Sequence, residues 1–297
     1  MQLRPLRPLF RHCVFVIALF AISCSGADDN AAPVATPTVT VGTKEAAIGS
    51  PIEMRYRFVV PPDGPAIDGD YIVFVHFVDT DGELMWTDDH EPPTPVRQWK
   101  PGATVEYTRT MFIPKFPYVG QTRVEVGLYS PSSGERLPMT GQTRGQRSYD
   151  VASFEMRLQS DNLFVIFRDG WHATEVTGES TGLEWQWSRK DATLSFANPK
   201  RDVELFLQLD QPVAAFSTPQ QVDIRLGTDV VDTFSLPSGP TELRRIKLSA
   251  DRLGTADTVE LTISVDRTFV PATLPALKNN DPRELGIRVF RAFVQPI

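Results

Sequence analysis

Proline content constrains this fold more than any other feature of the chain. The sequence places 25 prolines along 297 residues, and a proline inside a helix costs about 3 kcal/mol because it removes a hydrogen bond and clashes with the preceding turn. Prolines spread in this way exclude long helices and suit short strands joined by turns. With 41% hydrophobic and 23% charged residues, the composition also excludes a disordered chain and a multi-pass membrane protein.

Short apolar segments and turn residues alternate along two halves of the chain. Residues 52–60 alternate apolar and polar side chains, whereas residues 71–78 are almost continuously apolar, as in a strand buried on both faces. About seven such strands in residues 38–158 predict an Ig-like β-sandwich, and about nine in residues 159–297 predict a larger, jelly-roll-like sandwich. The predicted fold class is therefore all-β, with two antiparallel β-sandwich domains.

The N-terminus has the pattern of an export signal. Three arginines in residues 1–12 precede an apolar run over residues 13–22, which is about half the length that a membrane-spanning helix needs. Residues 25–37 are mostly small and polar, contain proline and lack periodicity. We therefore expect residues 1–23 to be a signal peptide and residues 24–37 to be a flexible tether that leads into the first domain.

The sequence FAISC at residues 20–24 resembles the lipobox of bacterial lipoproteins, with Ala21 where that family usually has leucine. The resemblance implies that Cys24 receives lipid, becomes the mature N-terminus and anchors the protein to a membrane of the bacterial cell envelope. Ser25, by resemblance to enteric lipoproteins, favours the outer membrane in a Gram-negative cell. The alternative is an ordinary signal peptide cut nearby. Loss of Cys13 with the signal would leave Cys24 alone, so no internal disulfide is expected.

The charge of the chain argues against a nucleic-acid partner. The formal net charge is −7, and it becomes −10 when residues 1–23, with three arginines and no acidic residue, are removed. Nucleic-acid binding needs a basic footprint. The sequence also contains no Walker or H-E-x-x-H motif, and no cofactor is expected. A Ser-His-Asp triad stays open, because its members need not be close in the sequence.

Both halves of the chain carry several short motifs. In residues 38–158 these are FVHFVD (74–79), DG (81–82), DDH (88–90), PP (92–93), PG (101–102), GLY (127–129) and RLP (136–138). In residues 164–297 they are GWH (170–172), WQWS (185–188), ATL (192–194), DRTFVP (266–271) and DPRELGI (281–287). They resemble two β-sandwich modules of bacterial envelope proteins, often found as C-terminal extensions of glycosyltransferase-like multi-pass membrane proteins. The resemblance implies an envelope setting and an association with glycans. Since this chain lacks the multi-pass part, the resemblance implies no glycosyltransferase activity.

Aromatic and polar residues in the second half are candidates for a sugar platform. The C–H faces of sugars stack on aromatic rings, and sugar hydroxyls need carboxylate, amide or guanidinium partners. Trp171, His172 and Glu175 combine these groups, and Trp171 lies in a predicted loop, where exposed side chains are common. Trp185 and Trp187 share one face of a predicted strand. That face is either a second aromatic surface or, as favoured for a sandwich, part of the core.

A charged segment near the C-terminus is a second candidate. Asp281, Arg283 and Glu284 precede the last predicted strand, and Asp266 and Arg267 lie upstream. Two carboxylates beside an arginine could do acid–base chemistry. The favoured interpretation is a buried ion-pair network that fixes a long loop, since no clear nucleophile accompanies these residues.

His76, Asp88, Asp89 and His90 are of the residue types that bind zinc and similar ions. The favoured interpretation is structural, because His76 shares a strand face with apolar residues, Asp89 can cap a turn and His90 lies in a proline-rich loop. No metal site is therefore expected. Residues 79–83, DTDGE, match only the start of a calcium-binding loop and predict a hairpin turn.

Three hypotheses for function follow from these features. The lead hypothesis is a lipid-anchored, non-catalytic envelope protein that binds cell-envelope or extracellular glycan. Its predicted binding residues are Trp171, His172, Glu175, Arg267, Asp281, Arg283 and Glu284. The second hypothesis is a structural or assembly lipoprotein that binds a protein partner in the envelope. The third, less favoured, is a glycan-active hydrolase that uses carboxylates of residues 266–284.

Overall fold

The structure, a computed structural model, describes residues 31–159, 163–177, 183–212 and 215–297. The predicted signal peptide, the predicted lipid attachment site Cys24 and the first part of the predicted tether lie outside these residues. Within the described ranges, no helix combines the length and the hydropathy needed to cross a bilayer.

Nine strands form the N-terminal module. They are β1 (Thr36–Val41), β2 (Glu45–Ala47), β3 (Pro51–Val59), β4 (Ile72–Val78), β5 (Leu84–Thr87), β6 (Thr104–Phe112), β7 (Gly120–Tyr129), β8 (Arg136–Leu137) and β9 (Tyr149–Arg157). One sheet has the order β1-β3-β6, and the other has the order β2-β9-β7-β4-β5, with β8 paired to β7. The strand pairs are antiparallel, except that β2 runs parallel to β9.

Ten strands form the C-terminal module. They are β10 (Ile166–Phe167), β11 (Glu175–Thr177), β12 (Leu183–Trp187), β13 (Asp191–Ala197), β14 (Val203–Asp210), β15 (Gln220–Leu226), β16 (Asp229–Leu236), β17 (Glu242–Leu248), β18 (Thr258–Val265) and β19 (Arg288–Pro296). Two five-stranded antiparallel sheets have the orders β10-β13-β18-β15-β16 and β11-β12-β19-β14-β17. Every connection passes from one sheet to the other, except those from β11 to β12 and from β15 to β16. This winding is typical of a jelly roll.

The two sheets of the N-terminal module pack face to face. Along β3, the side chains of Met54, Tyr56 and Phe58 are each 0% exposed, as the two-residue period of a strand requires. Phe77 of β4 and Phe154 of β9 join them from the facing sheet in one buried cluster. Burial of each such phenylalanine stabilises the fold by about 1.5–3 kcal/mol, so this cluster holds the module together.

The C-terminal module has a core of the same kind. Leu194 of β13 and Ile263 of β18 face Leu205, Leu207 and Val294 from the second sheet, and all five belong to one buried cluster. The predicted all-β fold class, with two β-sandwiches, is therefore confirmed.

Helices are short throughout the described part of the chain. There is one four-residue α-helix, α1 (Ala250–Leu253), and three 3₁₀ turns at Val96–Gln98, Pro271–Thr273 and Pro275–Leu277. Two of these turns begin with proline, which is tolerated at a first helical position because its missing N–H has no partner there. The proline content predicts this lack of long helices.

The N-terminal module begins earlier than residue 38, the boundary that the sequence predicts. Val34 and Ala35 are 3% and 0% exposed. The Val34 N–H donates to the Pro138 carbonyl, and the Thr140 N–H donates to the Ala35 carbonyl, both at 2.9 Å. The last four residues of the predicted tether therefore belong to the module, because apolar burial and backbone pairing hold them there.

The two modules touch through Arg245 of β17. Its guanidinium donates to the Glu53 carboxylate at 3.0 Å and to the Thr110 hydroxyl at 2.6 Å. Because both charged side chains are more than a third exposed, this pair contributes about 0–1 kcal/mol. A cleft of about 660 Å³ lies between the modules.

Candidate functional site

A small apolar cluster holds the loop between β18 and β19 against the rest of the C-terminal module. Trp187 of β12 packs at right angles to the ring of Phe269, with 5.7 Å between centroids, and Leu285 completes the buried group. Phe269 and Leu285 also exchange two backbone hydrogen bonds of 2.8 Å. The loop is thus held near both of its ends, and its charged side chains are placed on a fixed backbone.

Arg283 connects two carboxylates that are far apart in the sequence. Its guanidinium donates to Glu175 Oε1 at 2.6 Å and to both carboxylate oxygens of Asp281 at 3.0 and 2.9 Å. Glu175 lies on β11, 108 residues before Arg283, so only folding brings them together. The hydrogen bonds from Arg283 hold the pKa of the Asp281 carboxyl below its ordinary value. Asp281 in turn raises the pKa of Arg283.

His172 and Glu284 form a second link in the same region. The His172 backbone N–H donates to the Trp187 carbonyl at 2.9 Å, and His172 Nε2 lies 2.8 Å from the Glu284 carbonyl oxygen. Because a carbonyl oxygen only accepts, Nε2 carries the proton in this hydrogen bond. The Glu284 carboxylate accepts a 2.5 Å hydrogen bond from the Thr268 hydroxyl.

We call the group His172, Glu175, Asp281, Arg283 and Glu284 the polar corner. The side chains of Glu175 and Arg283 are 32% and 35% exposed, and that of Asp281 is 16% exposed. The network ties the loop to β11, as the sequence interpretation expects. That interpretation also expects the network to be buried, whereas it is partly open to solvent. The difference arises because its members lie at the outer rim of the apolar cluster.

Arg267, also predicted for this site, belongs to a different group of contacts. Its guanidinium donates to the carbonyls of Thr218 and Pro219 at 2.9 and 2.5 Å and lies over the Phe216 ring at 5.0 Å. Across the described ranges, no hydrogen bond or ion pair joins Arg267 to the polar corner. Arg267 therefore clamps the segment before β15, and we place it outside the candidate site.

Trp171 is half-buried and not displayed in an open loop. Its indole N–H donates to the Thr193 carbonyl at 2.8 Å, and its ring meets Phe167 edge-on at 4.8 Å. Trp171 also forms a backbone bridge with Ser188, so the chain runs along the module at this point. The residue keeps partial exposure beside His172.

Trp185 and Trp187 share a strand face but have different surroundings. Trp187 is 8% exposed and belongs to the apolar cluster, whereas Trp185 is half-buried, packs against that cluster and also lines the cleft between the modules. Arg288 lies 5.6 and 5.5 Å from the two ring centroids and donates to the buried Asp210 carboxylate at 2.8 and 2.7 Å. Sequence reasoning missed Arg288; the signal was a charged residue at the start of the apolar strand segment RVFRAFV (288–294).

Two of the candidate metal ligands in the N-terminal module lie in a hydrogen-bonded network. His90 is 8% exposed; its Nδ1 lies 2.7 Å from the Asp88 carbonyl, and its Nε2 lies 2.8 Å from the Tyr107 hydroxyl. Nδ1 therefore carries the proton and Nε2 accepts. The Asp88 carboxylate accepts hydrogen bonds of 3.1 and 2.8 Å from Arg109. Burial lowers the pKa of His90, which favours the neutral ring.

The remaining candidates are also engaged with protein groups. Asp89 accepts the Val75 N–H at 3.0 Å. His76 is half-buried, with its ring 4.7 Å from that of Phe74, on the sheet face that points away from the main core. In the part of the chain that the structure describes, no group of three or more His, Cys, Asp or Glu residues is arranged to hold a metal ion.

The predicted hairpin turn at residues 79–83 is confirmed. Asp79 Oδ1 accepts the backbone N–H groups of Asp81 and Glu83 at 2.9 Å each, and the turn joins the antiparallel strands β4 and β5. Gly82 has a φ of +88°, a left-handed conformation that glycine adopts without strain.

Comparison with known proteins gives distant structural similarity alone. No protein-family model and no curated protein sequence matches this chain. The carbohydrate-binding module CBM6cm-2 of Cellvibrio mixtus lichenase 5A, in complex with cellotriose, is 12% identical over 46% of this chain and 98% of that chain, with a TM-score of 0.28. The CBM22-1-CBM22-2 tandem domain of Paenibacillus barcinonensis Xyn10C is 9% identical over 92% and 95%, with a TM-score of 0.27. The Pseudomonas fluorescens alkylpurine DNA glycosylase AlkC is 18% identical over 42% and 31%, with a TM-score of 0.26.

Proposed function

We propose that this chain is an exported, lipid-anchored protein that binds cell-envelope or extracellular glycan without catalysing a reaction, and that the polar corner is its binding site. The observation that carries the proposal is the arrangement around Arg283, which fixes Glu175 and Asp281 while 35% of its own side chain stays exposed. A site whose polar groups are already in place loses less conformational entropy when a ligand binds.

The chemistry of the polar corner suits sugar hydroxyls, each of which can both donate and accept. Glu175 and Asp281 offer carboxylate oxygens, and Arg283 offers guanidinium N–H groups. His172, protonated at Nε2, has an acceptor at Nδ1. Trp171 precedes His172 in the chain and keeps part of its surface exposed, so a sugar C–H face can pack beside these groups.

The charge state of the polar corner supports binding over hydrolysis. Glycoside hydrolysis needs a carboxylic acid that keeps its proton, which requires a raised pKa. Arg283 lowers the pKa of Asp281 and also pairs with Glu175. Asp281 is therefore not poised to act as a general acid.

The proposal of export and lipid attachment rests on the sequence. Arginines in residues 1–12, the apolar run over residues 13–22 and the FAISC segment ending at Cys24 together have the order of a lipoprotein signal. A glycan-binding module held at the envelope would meet its ligand there.

The test is a glycan array probed with the full-length protein and two variants, Arg283→Gln and Arg244→Gln. Arg244 is a matched control because it pairs with Asp232 at 3.1 Å and is 34% exposed, in the same module but outside the polar corner. We expect the wild type and Arg244→Gln to bind a selected glycan. Arg283→Gln should bind it at least about tenfold more weakly, since it loses charge-assisted hydrogen bonds.

Two outcomes would contradict the proposal. Absence of binding to every glycan, including polysaccharide from the producing cell, would exclude the glycan-binding function. Equal affinity of Arg283→Gln and the wild type would exclude the polar corner as the site. Circular dichroism of both variants would establish that each one is folded.

A further inference from the structure

The cleft between the two modules is a second candidate binding site, separate from the polar corner. Its volume of about 660 Å³ falls in the range of about 300–1,000 Å³ found for small-molecule sites, which often lie at domain interfaces. The N-terminal module contributes Phe112, Lys115 and Leu158 to its lining, and the C-terminal module contributes Trp185 and Phe290 among others. Both modules are therefore needed to form it.

The lining of the cleft is mainly apolar. Of the 20 described residues that line it, thirteen have aliphatic or aromatic side chains. Leu158 and Phe164 are 71% and 57% exposed, and such large apolar side chains around a concave surface mark a site of interaction. Sugar hydroxyls that face the apolar side chains would lose their water without gaining partners. Because these side chains outnumber the polar ones among the described lining residues, an alkyl chain fits the cleft better than a glycan.

The polar groups in the cleft carry an excess of positive charge. Lys115 and Arg291 come from different modules, and neither has a carboxylate partner within the described residues. Arg291 donates a hydrogen bond of 3.4 Å to the Phe290 carbonyl. Among the described residues that line the cleft, Glu184 is the one carboxylate. Two cations against one anion favour a negatively charged ligand group.

We propose that the cleft binds a free long-chain fatty acid. Its alkyl chain lies among Phe112, Leu158 and Phe290, and its carboxylate meets Lys115 and Arg291. The two requirements come from separate observations, the apolar lining for the chain and, for the head group, two cations that have no carboxylate partner among the described residues. The inference does not depend on glycan binding at the polar corner.

The test uses 9,10-dibromostearate, whose bromine atoms quench tryptophan fluorescence at contact. The full-length protein, with the processing that the producing cell has carried out, is held in nanodiscs of zwitterionic phospholipid. Empty nanodiscs serve as the blank. We expect saturable quenching that disappears in Trp185→Phe. The matched control Trp171→Phe should keep the quenching, because Trp171 lies outside the cleft lining.

A second set of variants tests the charge requirement. The double variant Lys115→Gln with Arg291→Gln should bind dibromostearate at least about fivefold more weakly than the wild type, since hydrogen bonds to a charged group are lost. The control pair Arg97→Gln with Lys100→Gln, also on the surface but away from the cleft, should bind as the wild type does. The uncharged methyl ester of the probe should bind weakly to every form.

Four results would overturn the inference. They are absence of saturable quenching, quenching that persists in Trp185→Phe, methyl ester binding as tight as that of the acid, and displacement of the probe by a glycan. Displacement of the probe by a glycan would assign the cleft to a sugar. Absence of binding on the glycan array would contradict the proposed function of the polar corner but not the fatty-acid site.

Discussion

At the scale of single residues, the network around His90 makes the N-terminal module sensitive to acid. His90 lies between the Asp88 carbonyl and the Tyr107 hydroxyl. Protonation would place a second N–H on the ring nitrogen toward which Tyr107 donates, close to the positive charge of Arg109. Burial is the main cause that lowers the pKa of His90 below its ordinary value of 6.5, and the charge of Arg109 is the next.

We therefore expect the free energy of unfolding to fall as the pH drops below 6.5, because the unfolded chain takes up a proton at His90 that the folded chain rejects. The contribution is fully present above 6.5 and is lost between that value and the lower folded pKa. His90→Gln keeps an acceptor for Tyr107 and removes the titration. Urea unfolding across this pH range should show a flatter dependence for this variant, with a cost of about 1 kcal/mol at neutral pH.

His76 provides the comparison for this experiment. Burial also lowers its pKa, but the residue is half-buried, so His76→Gln should flatten the pH dependence less than His90→Gln does. Parallel stability curves for the wild type and His90→Gln would contradict the role assigned to the buried ring.

The surroundings of a residue are predictable from the sequence where they consist of residues close to it in the chain. The turn at residues 79–83 closes on its own backbone, and its sequence predicts it. Trp185 and Trp187 share one strand face and both contact the apolar cluster, yet Trp187 is buried in it whereas Trp185 also lines the cleft. Glu175 and Arg283 are joined across 108 residues, a separation that no local pattern encodes.

At the scale of elements, regular strands are predictable and short edge strands are not. β3 alternates and β4 is almost continuously apolar, so both have clear sequence patterns. β2 and β11 have three residues each, too few to show a period. β2 forms because it pairs with β9, and β11 forms because it pairs with β12. Such pairing depends on the tertiary structure and not on the local sequence.

Close backbone packing between β12 and the loop before β19 depends on Gly286. A Cβ atom at this position would lie 2.5 Å from Ser188 Oγ and 2.8 Å from the Arg189 carbonyl oxygen. Gly286→Ala should therefore lower the free energy of unfolding by about 1–3 kcal/mol, since overpacking forces the two segments apart. Urea unfolding measures the change.

The control for this substitution is Gly42→Ala. A Cβ atom on Gly42 would meet its nearest neighbours, both atoms of Glu53, at 3.3 and 3.6 Å, so a small adjustment accommodates it. Equal unfolding midpoints for Gly286→Ala and the wild type would contradict the tight approach of the loop to β12.

At the scale of the whole molecule, the proposed anchor predicts where the protein is found in the cell. We expect Cys24→Ser to shift the protein from the membrane fraction to the soluble envelope fraction and to abolish incorporation of alkyne-labelled palmitate. Cys13→Ser is the matched control, because Cys13 lies in the apolar run of the predicted signal. Membrane retention of Cys24→Ser without label would show that another feature holds the protein.

The early start of the N-terminal module limits how far this module could lie from a membrane to which a lipid on Cys24 attached it. With a lipid on Cys24 and Val34 already buried, ten residue steps separate the bilayer surface from the module, a reach of at most about 35 Å. A longer tether would require residues 34 and 35 to leave the module. That would break the hydrogen bond between Val34 and Pro138 and the one between Ala35 and Thr140. That distance is close to the thickness of the bilayer's own hydrocarbon core, about 30 Å. A protein anchored in this way would reach only ligands that come within that distance of the membrane.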